Sequence, residues 1–386
     1  MRDYLKPPSS IVAPMALLPP HANRRRALLA AAVTALLSAC ASAPPADRSV
    51  AAGATGATPP GTGAAAGVTA GASTTARLPE DGALLQLVEL QDRLDRVAAP
   101  LLVNNTPLCK KNARHLLGFT AKNRYSYSSE FAGAAQRLLH LDERLKVTGV
   151  LAGSGAARVG ILSGDGLVAV EDKPLPQGEN AERQAAALLA PLVGKKSQVK
   201  LSVMRNGSAQ TIEVPLTTAC AFRIELGNTD AINSYADGHR VLVTRGMMRF
   251  AQSDQELALV VAREMAHDIL GHTSQRHDTA TIASVIDNLI RVHPELGMVN
   301  GLAGIKPYSQ ENDAAADQLG MYLAARAGYM TTDATGFWRR LADKTPVSVA
   351  NGFTALHPST SYRIAAIDRA ASAIRLKQAD NKPLLP

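Results

Sequence analysis

The chain has 386 residues, 46% of them hydrophobic and 19% charged, an ordinary globular composition with room for two or three domains that each bury a core. Its formal charge of +8 reflects 41 basic and 33 acidic residues, but five of the basic and one of the acidic residues fall within 1–39, so the remainder carries only +4. No basic cluster is interleaved with aromatic residues, which excludes a nucleic-acid-binding reading.

Taken in order, Arg24, Arg25 and Arg26 precede an apolar run at 27–39. These are the charged and hydrophobic regions of a secretory signal, and the run falls short of the roughly 20 residues a membrane span needs. Leu37, Ser38, Ala39 and Cys40 resemble the lipobox of bacterial lipoproteins. That resemblance implies removal of residues 1–39 and lipidation of Cys40. Ala41 rather than Asp follows the cysteine, which by the sorting rule of that family implies a lipid anchor on the periplasmic side of the outer membrane. An incidental cysteine beside an Ala-rich signal is the other reading. Residues 40–80 form a tether rich in Ala, Gly, Thr and Pro. With so few large apolar residues it has no core to bury, and a flexible chain of that length spans ~35 Å.

Residues 81–144 read as an N-terminal helical part. The stretch 84–102 has apolar residues at helical spacing and charges on the opposite face, and a second helix is expected over 131–141. His115 and His140 are isolated and suggest no chemistry. From 145 to 217 the pattern changes to short strands and glycine turns. Gly153, Ala156, Ala157, Gly160, Gly164 and Asp165 come first, followed by a strand at 167–170, a helix at 180–192, and paired strands at 199–204 and 210–214 around Asn206 and Gly207. In that order they resemble a PDZ domain of the bacterial protease type. Such domains bind extended peptides by adding a strand at a sheet edge; a packing module without a ligand is the alternative. Cys109 and Cys220 lie just outside this insert. If Cys40 is lipidated, they are the two thiols left to pair, with two buried free cysteines as the other reading.

Residues 218–386 hold the stretch SDQELALVVAREMAHDILGH, 253–272. Ser253 and Glu256 fit a capping box, the helix between is apolar over much of its surface, and Gly271 can end it. Asn233, Tyr235, Ala236, Asp237 and Gly238 precede it, with a strand at 239–244. After it come Ala316 and Asp317, then Ala327, Gly328 and Tyr329, Trp338, and finally His357, Pro358 and Arg363. Together these resemble the zinc metallopeptidase family of the CAAX prenyl proteases and the HtpX heat-shock proteases, in particular periplasmic members with a PDZ insert. The resemblance implies an α+β fold, in which a mainly helical gluzincin-like peptidase domain is interrupted by the PDZ-like β-rich domain. It also implies a zinc endopeptidase acting on unfolded or extended peptide segments of envelope proteins.

Carried over residue by residue, the resemblance makes Glu264 the general base, His357 and Arg363 further catalytic-site residues, and His267 and Asp313 metal ligands. The first ligand position, however, holds Arg263, which has no lone pair to give. Asp313 is one methylene shorter than the glutamate that the family places there. Two functional readings follow: a weakened zinc endopeptidase, or a non-hydrolytic peptide-binding or chaperone-like protein. On the second, the expectation is that Arg263 reaches across the metal position to pair with Asp313.

Overall fold

The computed structural model describes residues 79–275, 308–344 and 361–386. The signal-like segment, Cys40, most of the tether and His357 lie outside the described residues. Within them the fold is mixed α and β, and no helix is long and apolar enough to cross a membrane.

Helix α1 (Pro79–Asn104) starts with Glu80 and Asp81, favourable charges at a helix N-terminus. Its first half, through Leu84 and Leu87, buries Phe131, Ala134 and Ala135; its second half, through Leu94, Val97 and Leu101, enters the main core. The α1 C-terminus is tied off by Asn105, whose side-chain amide donates to Leu101 O at 3.0 Å and to Leu323 O at 2.9 Å. Strands β1 (Ala113–Leu116) and β2 (Phe119–Lys122) follow, then α2 (Ser129–Leu139), which closes on His140 in the left-handed region at φ 53°.

The β-rich region contains β3 (Lys146–Val150), the short α3 (Gly155–Arg158), β4 (Gly166–Val170), β5 (Lys173–Pro174), α4 (Ala181–Val193), β6 (Gln198–Arg205) and β7 (Ser208–Pro215). The sheet order is β2-β3-β4-β6-β7, with β5 paired to β4. β6 and β7 are fully antiparallel from Gln198↔Pro215 to Arg205↔Ser208, around the turn that Asn206 and Gly207 mark in the sequence. Alternate residues of β6, namely Val199, Leu201 and Val203, face a core with Val147, Leu167, Val170 and Val214, the period of two that a one-sided sheet requires. β2 belongs to this sheet although it precedes residue 145.

β8 (Thr217–Cys220) returns antiparallel to β1, from Ala113↔Cys220 to Leu116↔Thr217. At the foot of this two-stranded stem a disulfide joins Cys109 to Cys220, with Cα atoms 5.6 Å apart and both residues fully buried. Next come β9 (Arg223–Gly227), β10 (Ser234–Ala236) and β11 (Arg240–Thr244), in sheet order β10-β11-β9. Helices α5 (Arg245–Phe250), α6 (Asp254–Leu270), α7 (Gln310–Arg326), α8 (Ala334–Lys344) and α9 (Ser361–Ala379) complete the described chain. α6 is the hub: every residue from Leu257 to Ile269 is buried.

Candidate functional site

Local chemistry fixes the start of α6. The Ser253 hydroxyl accepts from the Glu256 N–H at 3.3 Å, as an N-cap should. The return half of the expected capping box lands one residue earlier, since Glu256 Oε2 accepts from Gln252 N at 2.8 Å. Gly271, at φ 77°, ends the helix. Helix α7 approaches α6 at Gly320, where a Cβ would lie 3.0 Å from Arg263 Cα, so a residue without a side chain is needed.

Glu264, fully buried, accepts at Oε1 from the Ser234 hydroxyl of β10 at 2.8 Å and from Arg263 Nη2 at 3.2 Å. The Arg263 guanidinium, also buried, lies 4.3 Å from the centre of the Trp338 ring on α8. His267 Nε2 is 3.3 Å from Asp313 Oδ1 on α7, and its Nδ1 is 3.1 Å from His272 Nδ1. Its ring stacks on Tyr308 at 4.1 Å. Arg363 of α9 grips Asp317 with two bonds, Nε to Oδ2 at 2.7 Å and Nη2 to Oδ1 at 2.9 Å, and its Nη1 stands 3.9 Å from Asp313 Oδ2.

Burial works against the Arg363 charge, but Asp317, with Asp313 and Glu264, more than offsets it and holds the group above the ordinary arginine range. Burial pulls His272 below the ordinary histidine range, with Asp313 acting the other way. Asp268, beside His267, is pushed well above the carboxylate range by burial, although the Gly238 N–H donates to it at 2.7 Å.

Arg263, Glu264, His267, Asp313 and Arg363 therefore meet at one place, between α6, α7 and α9. The expected Arg263–Asp313 pair does not form. Arg263 turns to its own neighbour Glu264 and the face of Trp338, while Asp313 is engaged by His267 and flanked by Arg363. His272, past the glycine cap, folds back against His267. Ser234 is a site residue that the motif reading passed over; Trp338 carries part of the resemblance, but its place at the site was not read from the sequence. Ser234 was legible in part, as a small hydroxyl inside an otherwise apolar strand.

Among the described residues the donor set falls short of a zinc site: no group of three or more His, Cys, Asp or Glu side chains is placed to hold a metal ion. At the position where the resemblance expects the first ligand stands Arg263, a cation that cannot ligate.

Residues 196–371 match the profile described as peptidase family M48. The beta-barrel assembly-enhancing protease of Yersinia pestis is 28% identical over 161 residues, 37% of this chain and 33% of that protein. The mitochondrial metalloendopeptidase OMA1 of Schizosaccharomyces pombe is 26% identical over 137 residues, 34% of this chain and 41% of that protein. The chain thus spans well under half the length of these relatives. Among solved structures, the HtrA3 PDZ domain bound to a phage-derived ligand aligns with 28% of this chain and 88% of its own, at 18% identity and a TM-score of 0.21, too low to establish a shared fold. Residues 196–371, a little under half of the chain, are similar to peptidase family M48, and the order of motifs around α6 agrees with that similarity.

Proposed function

We propose that this chain is a non-hydrolytic, peptide-binding member of peptidase family M48. The observation that carries the reading is Arg263: it takes the first ligand position and bonds the carboxylate that would have to act as base. A carboxylate held by a guanidinium and a serine hydroxyl is a poor proton acceptor, because both partners stabilise its charged form.

The β-rich region supplies the binding mode. β2 ends the sheet among the described residues, and Leu117, Phe119 and Ala121 share a core with Leu188, Leu189 and Leu192 of α4. The start of α4 is tied to the segment after β2 by Ser126 Oγ donating to Glu182 and by Asn123 Nδ2 donating to Gly178 O at 2.8 Å. An extended peptide adding to β2 would lie along α4 and place side chains toward those leucines. The substrate class is unfolded or extended segments of envelope proteins, and the anchor is a lipidated Cys40 on the periplasmic side of the outer membrane. The support for both is the signal and lipobox-like segment at 24–40, together with a relative named for enhancing beta-barrel assembly.

A second reading, a zinc endopeptidase with a weakened site, is favoured by one observation: His267 and Asp313 still face each other as two potential donors. Casein digestion with and without added zinc separates the two. The wild type is expected to leave casein intact while retaining extended peptides in a binding assay. Cleavage that disappears in Glu264→Gln would establish the second reading instead.

A further inference from the structure

We infer that the end of the molecule where α1 gives way to the β1–β8 stem seats on the anionic phospholipid headgroups of the membrane to which the chain is tethered. The inference rests on the lipid anchor of the proposed function and names the part of the anchored protein that its membrane receives.

Three stretches of chain build this end. Residues 103–121 leave α1, make the 3-10 turn Lys110–Asn112 and run through β1 into β2; 151–164 carry α3; 214–222 carry the close of β7 and all of β8. Val103 Cγ1 lies 3.7 Å from where a Cβ on Gly153 would stand. Thr106 Oγ1 donates to Thr218 O at 3.1 Å, and the Gly155 N–H donates to Thr217 Oγ1 at 2.7 Å, so the three stretches meet. Together they hold Lys110, Lys111, Arg114 and Arg158 and not one Asp or Glu. All four cations are exposed.

The partners of these cations leave their charge uncancelled. Arg114 Nη1 donates to Ala113 O at 3.1 Å and to Lys111 O, and Arg158 Nη1 donates to Gly153 O at 2.7 Å. Main-chain carbonyls orient a guanidinium without neutralising it. The Asp268 carbonyl accepts from Asn112 Nδ2 at 3.5 Å beneath the turn, but the Asp268 carboxyl is buried and turned to the Gly238 N–H.

The four cations are spread over a turn, a strand and a helix rather than aimed at one point. That arrangement suits a plane of phosphates better than a single carboxylate or phosphate. Each lysine or arginine brought to an anionic bilayer strengthens binding about fivefold. The tether joins α1 at its opposite end, about 39 Å away by the helical rise over 26 residues. A tether spanning ~35 Å gives the slack to lay this end on the bilayer.

The test mixes the purified full chain with vesicles of phosphatidylcholine alone, or of phosphatidylcholine and phosphatidylglycerol. Flotation with the neutral vesicles reads the anchor. Acylation of lysine amines, scored by mass spectrometry, reads the basic end, with Lys173 and Lys344 as references outside the three stretches. Lys110 and Lys111 should be acylated about fivefold more slowly on the anionic vesicles, with the difference lost in high salt and the references unchanged. Arg114→Glu combined with Arg158→Glu should abolish that protection while peptide binding stays unchanged. Equal acylation on the two kinds of vesicle would overturn the inference, as would protection that persists in high salt or in the double variant. A chain that does not float with neutral vesicles would sink the anchor reading; protection on anionic vesicles would then still support this one, and its absence would still overturn it.

Discussion

The two halves of this molecule treat their polar groups in opposite ways. Around α6, polar and charged side chains are buried and turned on one another: Arg263 on Glu264, His267 on Asp313, Arg363 on Asp317. In the β-rich sheet the interior is aliphatic, with Asp165, held by Arg205 of β6, as its buried charge pair, and the backbone of β2 closes one end of the strand order. A site that spends its polar groups internally has little left for a reacting substrate, whereas an edge strand keeps donors and acceptors for a ligand. On the proposed function, recognition and catalysis part company within one scaffold.

The largest effect should come from cutting the join between the halves. The Cys109–Cys220 disulfide closes a loop of sequence separation 111, for which chain entropy gives about 4 to 5 kcal/mol. Cys109→Ser is expected to lose most of that in denaturant unfolding, and to let the β-rich region unfold apart from α6. A single unchanged transition would break the comparison by showing that the stem is not what couples them.

A smaller effect lies in the seam itself. Asp95 of α1 faces β3, where a Cβ on Gly149 would lie 3.6 Å from its Oδ2, and it accepts from Gln91 at 2.8 Å. Burial pushes its carboxyl up to about 6. The Gln91 bond and Lys122 act against that, while Asp92 and Glu225 add to it. Because the folded pKa lies above the ordinary value of 3.8, the folded state favours the protonated form. That contribution is complete below about pH 4 and is lost as pH rises through about 6. Asp95→Asn should therefore stabilise the protein at neutral pH by about 2 kcal/mol and flatten its stability between those pH values, as read by urea titrations across the range. An unchanged slope would show that the seam is wetter than its packing suggests.

The smallest effect sharpens the other side. Ser253→Ala removes one N-cap bond of α6 and should cost about 1 kcal/mol of global stability, with peptide affinity unchanged. A loss of affinity would mean that α6 and the β2 edge are coupled.

What could be read from the sequence divides along the same line. Helix α1, the caps of α6 and the β6–β7 hairpin were legible because each depends on residues close in the chain: apolar spacing, Ser253, Gly271, Asn206 and Gly207. β2 was not legible as a strand of this sheet. Its four residues FTAK carry little pattern, and its partner β3 is more than twenty residues away, across α2. The motif residues at the site were legible, but their pairing was not. Arg263 had to choose between Glu264 beside it and Asp313 on another helix. Trp338, brought in by α8, gave the guanidinium an aromatic surface that the local sequence does not reveal.

Trp338 is also the single tryptophan of the chain. Its indole lies against the guanidinium of Arg263, with that of Arg363 5.9 Å from the ring centre. The protein thus carries one intrinsic fluorophore, placed at the site in question and free of background from any other indole. Whatever displaces Arg263, whether a ligand, a metal or a substitution at Glu264, changes the charge over that ring and registers as a shift in a single emission band.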